Sequence, residues 1–312
     1  MKLIQDIDNI TRPYNNAVVT IGNFDGVHKG HRALFKEAID RARAVNGTAV
    51  VITFEPHPLK VVSPDRRPPL ITLHDQKVEL IAKTGVDVLV CIPFTPEFAA
   101  LPANDFIEGI LVKTIGMKAI VVGNDYSFGR NREGDIAMLR QFGERLGFDV
   151  IVPDWIRISA DWKDRVSSTK IRELVMEGNI EDIPMLMDRH YQIRGKVVSG
   201  RNRGGKLLGF PTANINLTDE LCPKMGVYAV TVEVGDTRYK GVANIGYSPT
   251  FEDHVFTVEV HILDFEGDIY GSEIRVNFIN RLRDEKKFQD IEELSAQIQA
   301  DIQKAKKLLS DK

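Results

Sequence analysis

Cysteine is scarce in this chain of 312 residues: only Cys91 and Cys222 occur, far apart and without ligand spacing. That excludes a disulfide framework and a cysteine-rich zinc site, and leaves reduced core thiols as the expectation. Long apolar runs are missing too. No stretch approaches the length needed to cross a bilayer, and the N-terminal residues hold no uninterrupted apolar segment of the signal-peptide kind. A soluble, cytoplasmic protein without a membrane partner is therefore expected. A surplus of one charge is the third absence. Lysine and arginine total 41 against 44 acidic residues, a net charge of -3, so nothing is left over to neutralise a phosphate backbone. Nucleic acid is not the expected partner. The length allows two domains, each with a sizeable core. Oligomeric state is not legible.

What is present centres on Ala17 to His31, AVVTIGNFDGVHKGH. An apolar β-branched run from Ala17 to Ile21 predicts a buried strand. A glycine-punctuated loop follows, and then a helix from about Lys29 to Val45 with Leu34, Ala38, Ala42 and Val45 on one face. Strand, glycine turn and helix start make an anion site, because helix N–H groups at that end lack intrahelical acceptors. The spacing is not G-x-G-x-x-G, so the dinucleotide fingerprint is absent. His28 and His31 sit three residues apart in the turn. With neither cysteine near and no third ligand evident, they read as a hydrogen-bonding or cationic pair suited to polyphosphate rather than half a metal centre.

GNFDGVHKGH resembles the HxGH signature of the adenylyltransferase module in the bifunctional riboflavin kinase/FMN adenylyltransferases, the prokaryotic FAD synthetases. HxGH alone marks a wider nucleotidyltransferase superfamily, and Asn23, Phe24 and Asp25 make the match much more specific. Other segments test it. Strands are expected at Ala49–Phe54, Val86–Ile92 and Ala119–Val122, with helices between them. Thr72 and Asp75 look like a capping pair for one helix, and Asn104 like the cap of another. The alternation predicts a doubly wound parallel sheet covered on both faces, with ligands at the carboxyl ends of its strands. His57 and the loop Gly123–Gly134 fall at such ends. In that loop Tyr126 and Ser127 stand where the family usually has phenylalanine and arginine. Downstream, Ser167, Ser168 and Thr169 are more hydroxyls than one helix cap needs, and SSTKIR matches the family's second nucleotide motif.

From about Tyr191 the pattern changes to short strands between turns: Tyr191–Val198, Val227–Val234, Tyr239–Ile245, Phe256–Leu263 and Ile274–Phe278. These predict an antiparallel β-barrel, closed off by a terminal helix. Gly200–Lys206 fits the first seven positions of a P-loop, but Leu207 replaces the magnesium-binding hydroxyl and no helix follows. A flexible glycine arch near phosphate remains. LLGFPTANINL resembles the PTAN motif of riboflavin kinases, and the likeness continues through GVYAV, NIGYSPTF, VEVHILDF and LRDEKKF to cover essentially the whole chain.

The resemblance implies an adenylyltransferase domain over residues 1–186 and a riboflavin kinase domain over 187–312, with its barrel at 190–280 and its helix at 286–310. It implies that Gly22, Asn23, Phe24, Asp25, Gly26 and Gly30 form the nucleotide-binding turn around catalytic His28 and His31. Ser168, Thr169 and Arg172 would hold the departing pyrophosphate, while His57 and Asp125 would lie on the flavin side. In the second half, Gly200, Gly204, Gly205 and Lys206 would cover the nucleotide, Thr212 and Asn214 would hold Mg2+, and Glu259 would be the kinase base. The implied ligands are ATP, riboflavin, FMN and FAD. Two rivals differ in class: an adenylyltransferase whose β-domain only binds flavin, and a nucleotidyltransferase for another small phosphate such as phosphopantetheine.

Overall fold

The computed structural model describes residues 1–66, 68–154, 165–198, 209–217, 219–247 and 256–310. The chain folds as two compact units, Met1–Ser168 and Thr169–Lys312.

In the first unit, six parallel strands form one sheet: β1 (Lys2–Ile4), β2 (Ala17–Ile21), β3 (Ala49–Glu55), β4 (Val88–Pro93), β5 (Met117–Val121) and β6 (Asp149–Ile151). Their order is β1-β4-β3-β2-β5-β6, so β2 lies in the middle with β3 and β5 as neighbours. Every residue of β2 is buried, as expected of a strand covered on both faces. On one face, Val18, Ala49, Ala119 and Val121 pack against Ala38 and Ala42 of α1 (Lys29–Ala44). On the other, Val19, Ile21, Val50, Ile52 and Val90 meet Ile107, Leu111 and Ile115 of a wide helix (Phe106–Ile115) and Leu139 of the helix Ile136–Leu146. The alternation of β2 thus serves two separate cores.

Three local expectations change. Val45 is exposed beyond the end of α1, and Phe35 takes a place on the buried face. Thr72 does not cap the helix α2 (His74–Ala82); Leu73 precedes it without a side-chain bond. The Thr72 hydroxyl is engaged with Asp25 and Gly26 instead, a long-range pull that outranks a local cap. Asn104 lies inside a first turn that begins at Ala103, whose N–H donates to Glu133 Oε1 at 2.9 Å. The acceptor comes from a distant loop, so Asn104 is not needed as a cap.

In the second unit, six strands close into a barrel: β7 (Tyr191–Val198), β8 (Ala213–Ile215), β9 (Gly226–Val234), β10 (Thr237–Tyr247), β11 (Phe256–Ile262) and β12 (Glu273–Arg283). The order round the barrel is β10-β11-β8-β7-β12-β9, all antiparallel pairs. β12 runs past the expected end by using bulges between Phe278 and Asn280 and between Arg281 and Arg283. The terminal helix spans Ile291–Leu308 and starts later than 286. Asp290 caps it by accepting from Glu293 N at 2.7 Å, while Glu293 Oε2 accepts from Gln289 N at 3.0 Å. This reciprocal pair fixes the start. Ile302, Ala305 and Leu309 then pack on Val227, Ala229 and Ile279 of the barrel.

Candidate active sites

The turn after β2 is held in a conformation that its sequence alone would resist. Gly26 has φ +88°, and Phe24 and Val27 have φ 49° and 40°. Left-handed backbone at a β-branched valine is strained and persists only where neighbours over-determine it. Gly22 adds a close approach, because a Cβ there would lie 2.9 Å from the Phe24 ring.

The over-determination is visible bond by bond. Asp25 is buried, and its carboxylate accepts from Ile71 N at 3.0 and 3.1 Å, from Thr72 N at 3.0 Å and from the Thr72 hydroxyl at 3.3 Å. Gly26 N donates to Thr72 Oγ1 at 3.0 Å. The Asn23 carbonyl accepts from Thr53 Oγ1 at 3.2 Å and from Lys77 Nζ at 3.4 Å. Ser168 Oγ donates to the Asp25 carbonyl at 2.8 Å, joining the second motif to the first.

The two histidines emerge from this frame. His28 is the N-cap of α1, and its Nδ1 accepts from His31 N at 3.3 Å. A ring nitrogen that accepts leaves Nε2 to carry the proton, so His28 presents an Nε2–H donor. The His28 and His31 rings stack with centroids 3.5 Å apart, and the Phe24 edge meets His31 at 5.2 Å. The arrangement is two aligned imidazoles at a helix N-terminus, over the carboxyl edge of a parallel sheet. It can take a polyphosphate.

His57 and Asp125 lie in the loops after β3 and β5, the strands flanking β2. His57 caps a short helix, Pro58–Val62, and Nδ1 accepts from Leu59 N at 3.2 Å. Asp125 is exposed and meets Arg165 Nη2 at 3.2 Å. Thr169 and Arg172 follow Ser168 on the helix Ser168–Glu177. Sequence reasoning overlooked an aromatic chain along the same carboxyl edge: Phe54–Phe94, Phe94–Phe98, Phe98–Phe106 and Phe106–Phe128 centroids are 5.5, 5.6, 6.1 and 5.7 Å apart. Its signal was the clustering of Phe near strand ends. Thr53 and Lys77 were missed as well, for they lie within ordinary strand and helix patterns, and Thr72 was read only as a helix cap.

In the barrel, register places Glu259 of β11 directly between Asn214 of β8 and Asn244 of β10. Glu259 is half-buried, and burial raises its carboxyl pKa above the ordinary value. Thr212 stands just before β8, two residues from Asn214, which puts both oxygen-bearing side chains on one face of an extended segment. His261, two residues beyond Glu259, sets that segment in place: Nδ1–H donates to the Pro211 carbonyl at 2.8 Å, and the Phe210 ring meets the imidazole edge-on at 5.7 Å. His261 was legible from the FTVEVHIL alternation but was not singled out. Gly200, Gly204, Gly205 and Lys206 lie outside the described residues. Among those described, no three His, Cys, Asp or Glu side chains gather as a metal site.

Comparison with known proteins bears on both halves. The FAD synthetase family matches residues 11–170, and the riboflavin kinase family matches residues 187–309. A bifunctional riboflavin kinase/FMN adenylyltransferase of Escherichia coli K12 is 40% identical over 303 residues, covering 96% of each chain. One from Haemophilus influenzae is 36% identical over 307 residues, with 98% of each covered. A solved structure from Streptococcus pneumoniae, titled a macrolide-efflux protein, superposes with TM-score 0.85 at 33% identity over 97% of this chain and 98% of its own. No helix among the described residues is long and apolar enough to cross a membrane.

Proposed function

The chain belongs to the bifunctional riboflavin kinase/FMN adenylyltransferases, and from that premise we propose how its residues divide the two reactions. The protein phosphorylates riboflavin to FMN with ATP and then transfers an adenylyl group from a second ATP to FMN, releasing pyrophosphate and giving FAD.

Adenylyl transfer belongs to residues 1–186. An FMN phosphate oxygen attacks the α-phosphorus of ATP as the bond to the β-phosphate breaks. This nucleophile is already anionic, so the work is alignment and charge stabilisation rather than proton removal. His28 and His31 hold the α and β phosphates, with the His28 Nε2–H as a fixed donor. Ser168, Thr169 and Arg172 take the leaving pyrophosphate, and Gly22, Asn23, Phe24, Gly26 and Gly30 let the backbone approach it. Asp25 has a different part: its carboxylate is committed to Ile71 and Thr72, so it shapes the turn. His57, Asp125 and the phenylalanine chain receive the flavin, a flat apolar ring system with a polar tail.

The kinase reaction belongs to residues 187–312. Glu259 accepts the proton of the riboflavin 5′-hydroxyl as that oxygen attacks the γ-phosphorus of ATP and the bond from that phosphorus to the β,γ-bridging oxygen breaks, releasing ADP. What supports the assignment is its place between Asn214 and Asn244 in the barrel wall, where a carboxylate has no packing reason to be. Thr212 and Asn214 offer a hydroxyl and an amide, hard oxygen donors that fit Mg2+. Bound there with ATP, the ion would neutralise phosphate charge. Gly200, Gly204, Gly205 and Lys206 cover the nucleotide. Both cysteines are free thiols, which agrees with a cytoplasmic setting.

Product analysis of two variants tests the division of labour. His28→Ala is expected to abolish FAD formation from FMN while riboflavin still becomes FMN. Glu259→Ala is expected to do the reverse. Loss of both activities from either folded variant would overturn the two-site assignment.

A further inference from the structure

Lys77 is an interior ammonium that the two reactions above do not use. It is 6% exposed, on α2, and its Nζ donates to two main-chain carbonyls, Asn23 at 3.4 Å and Phe54 at 3.3 Å. Lysine is seldom buried without a carboxylate partner. Among the described residues no acid lies within ion-pair distance of it, although Glu55, Asp25 and Cys91 act on it electrostatically. Burial lowers its pKa, and those three groups pull the other way. His74, on the same helix, is itself held cationic, with its pKa raised to about 10 by hydrogen bonding to Cys91 and then to Glu55. A leucine or methionine would fill the volume at less cost, so the retained charge needs a reason.

The carbonyls it meets suggest one. Phe54 lies near the carboxyl end of β3, and Asn23 opens the strained turn after β2. Strand-end carbonyls are the negative ends of peptide dipoles, and this edge is where two phosphorylated substrates must be brought together. Left uncapped, the Asn23 carbonyl would lose the donors that fix its direction, with Phe24 next to it at φ 49°. Thr53 Oγ1 donates to the same oxygen.

We propose that Lys77 is a positioning residue for adenylyl transfer: with Thr53 it clamps the Asn23 carbonyl and so holds the turn that carries His28 in its reactive shape. It acts through the backbone and touches neither substrate. The inference rests on the assignment of adenylyl transfer to the His28 turn.

The test is steady-state kinetics on the full-length protein with FMN and ATP. Lys77→Met should lower kcat for FAD formation by about 100-fold, the scale of a misplaced reacting group. KM for ATP and for FMN should stay within about threefold, since alignment rather than ground-state binding is lost. FMN formation from riboflavin, in the other unit, should be unchanged, and calorimetry should show the first unit melting as in the unsubstituted protein, which reports that it is folded. Lys77→Gln, which keeps an N–H donor, should recover a substantial part of the loss. Thr53→Val removes the other donor and should also lower kcat. The double variant should fall short of the product of the single effects, because both side chains act on one oxygen. Should Lys77→Met fail to fold, Lys77→Gln and Thr53→Val carry the cycle. Near-normal kcat in Lys77→Met, or effects that multiply independently, would overturn the proposal. Retained FAD formation in His28→Ala would instead overturn the site assignment beneath it.

Discussion

Two carboxylates of this protein have opposite environments, and the proposed reactions give them opposite uses. Asp25 is surrounded by donors: two backbone N–H groups and a hydroxyl converge on it inside the first unit. Asp25→Ala would leave those donors buried and unanswered, at about 1–3 kcal/mol each. The expected outcome is a lower melting temperature for the first unit by calorimetry, together with loss of FAD formation. Among the described residues Glu259 has no such company, and burial raises its pKa. As a base it must be ionised, so the acid limb of the kinase pH profile should lie above that of an ordinary carboxylate. A raised folded-state pKa also means that the ionised form destabilises the fold above the ordinary carboxylate range. Glu259→Gln should therefore abolish FMN formation at neutral pH and raise thermal stability slightly there. An inactive variant that is also less stable would argue that Glu259 is a packing residue.

At the level of elements, the terminal helix shows how one ion pair, a half-buried arginine on a buried aspartate, joins two surfaces. Arg283 at the end of β12 donates through Nε to both oxygens of Asp301, at 3.1 and 2.9 Å, and Gln297 Nε2 reaches the same carboxylate at 2.9 Å. Asp301 is 4% exposed. Asp301→Ala would strand the guanidinium, at a cost of about 3 kcal/mol, and should lower the denaturation midpoint of the second unit in chemical unfolding. Asp301→Asn should cost less. Elements of this kind divide into those the sequence announces and those it hides. β2 was legible as an unbroken apolar, β-branched run and α1 from the helical spacing of its apolar face. β1, β6 and β8 were not, since three residues are too few to display a period. The site divides in the same way. His28, Ser168 and Glu259 stand in motifs, whereas Lys77, Thr72 and His261 have roles created by register and by contacts across tens of residues. Thr72 shows the reason plainly, for its hydroxyl meets partners 46 and 47 positions away and forgoes the helix two residues on.

For the whole molecule, two units with separate cores mean two reactions with one shared intermediate. Supplied with riboflavin and ATP, the protein should accumulate FMN transiently, then FAD, consuming two ATP per riboflavin. Chromatography of quenched time points measures this directly. In His28→Ala the course should stop at FMN with one ATP consumed. A time course in which FAD rises with no FMN ever detectable would point to an intermediate that is not released between steps.

The margins of the two sheets have a consequence of another kind. The parallel sheet ends at both sides in three-residue strands, β1 and β6, with Lys2 on one and Asp149 on the other. Among the described residues the barrel strands close on themselves in one ring. Among the described residues, neither sheet ends in a long, flat edge strand whose amides a foreign backbone could copy. When the concentrated protein self-associates, the contacts must be made by side chains, and runaway strand-by-strand growth into fibres is denied a template.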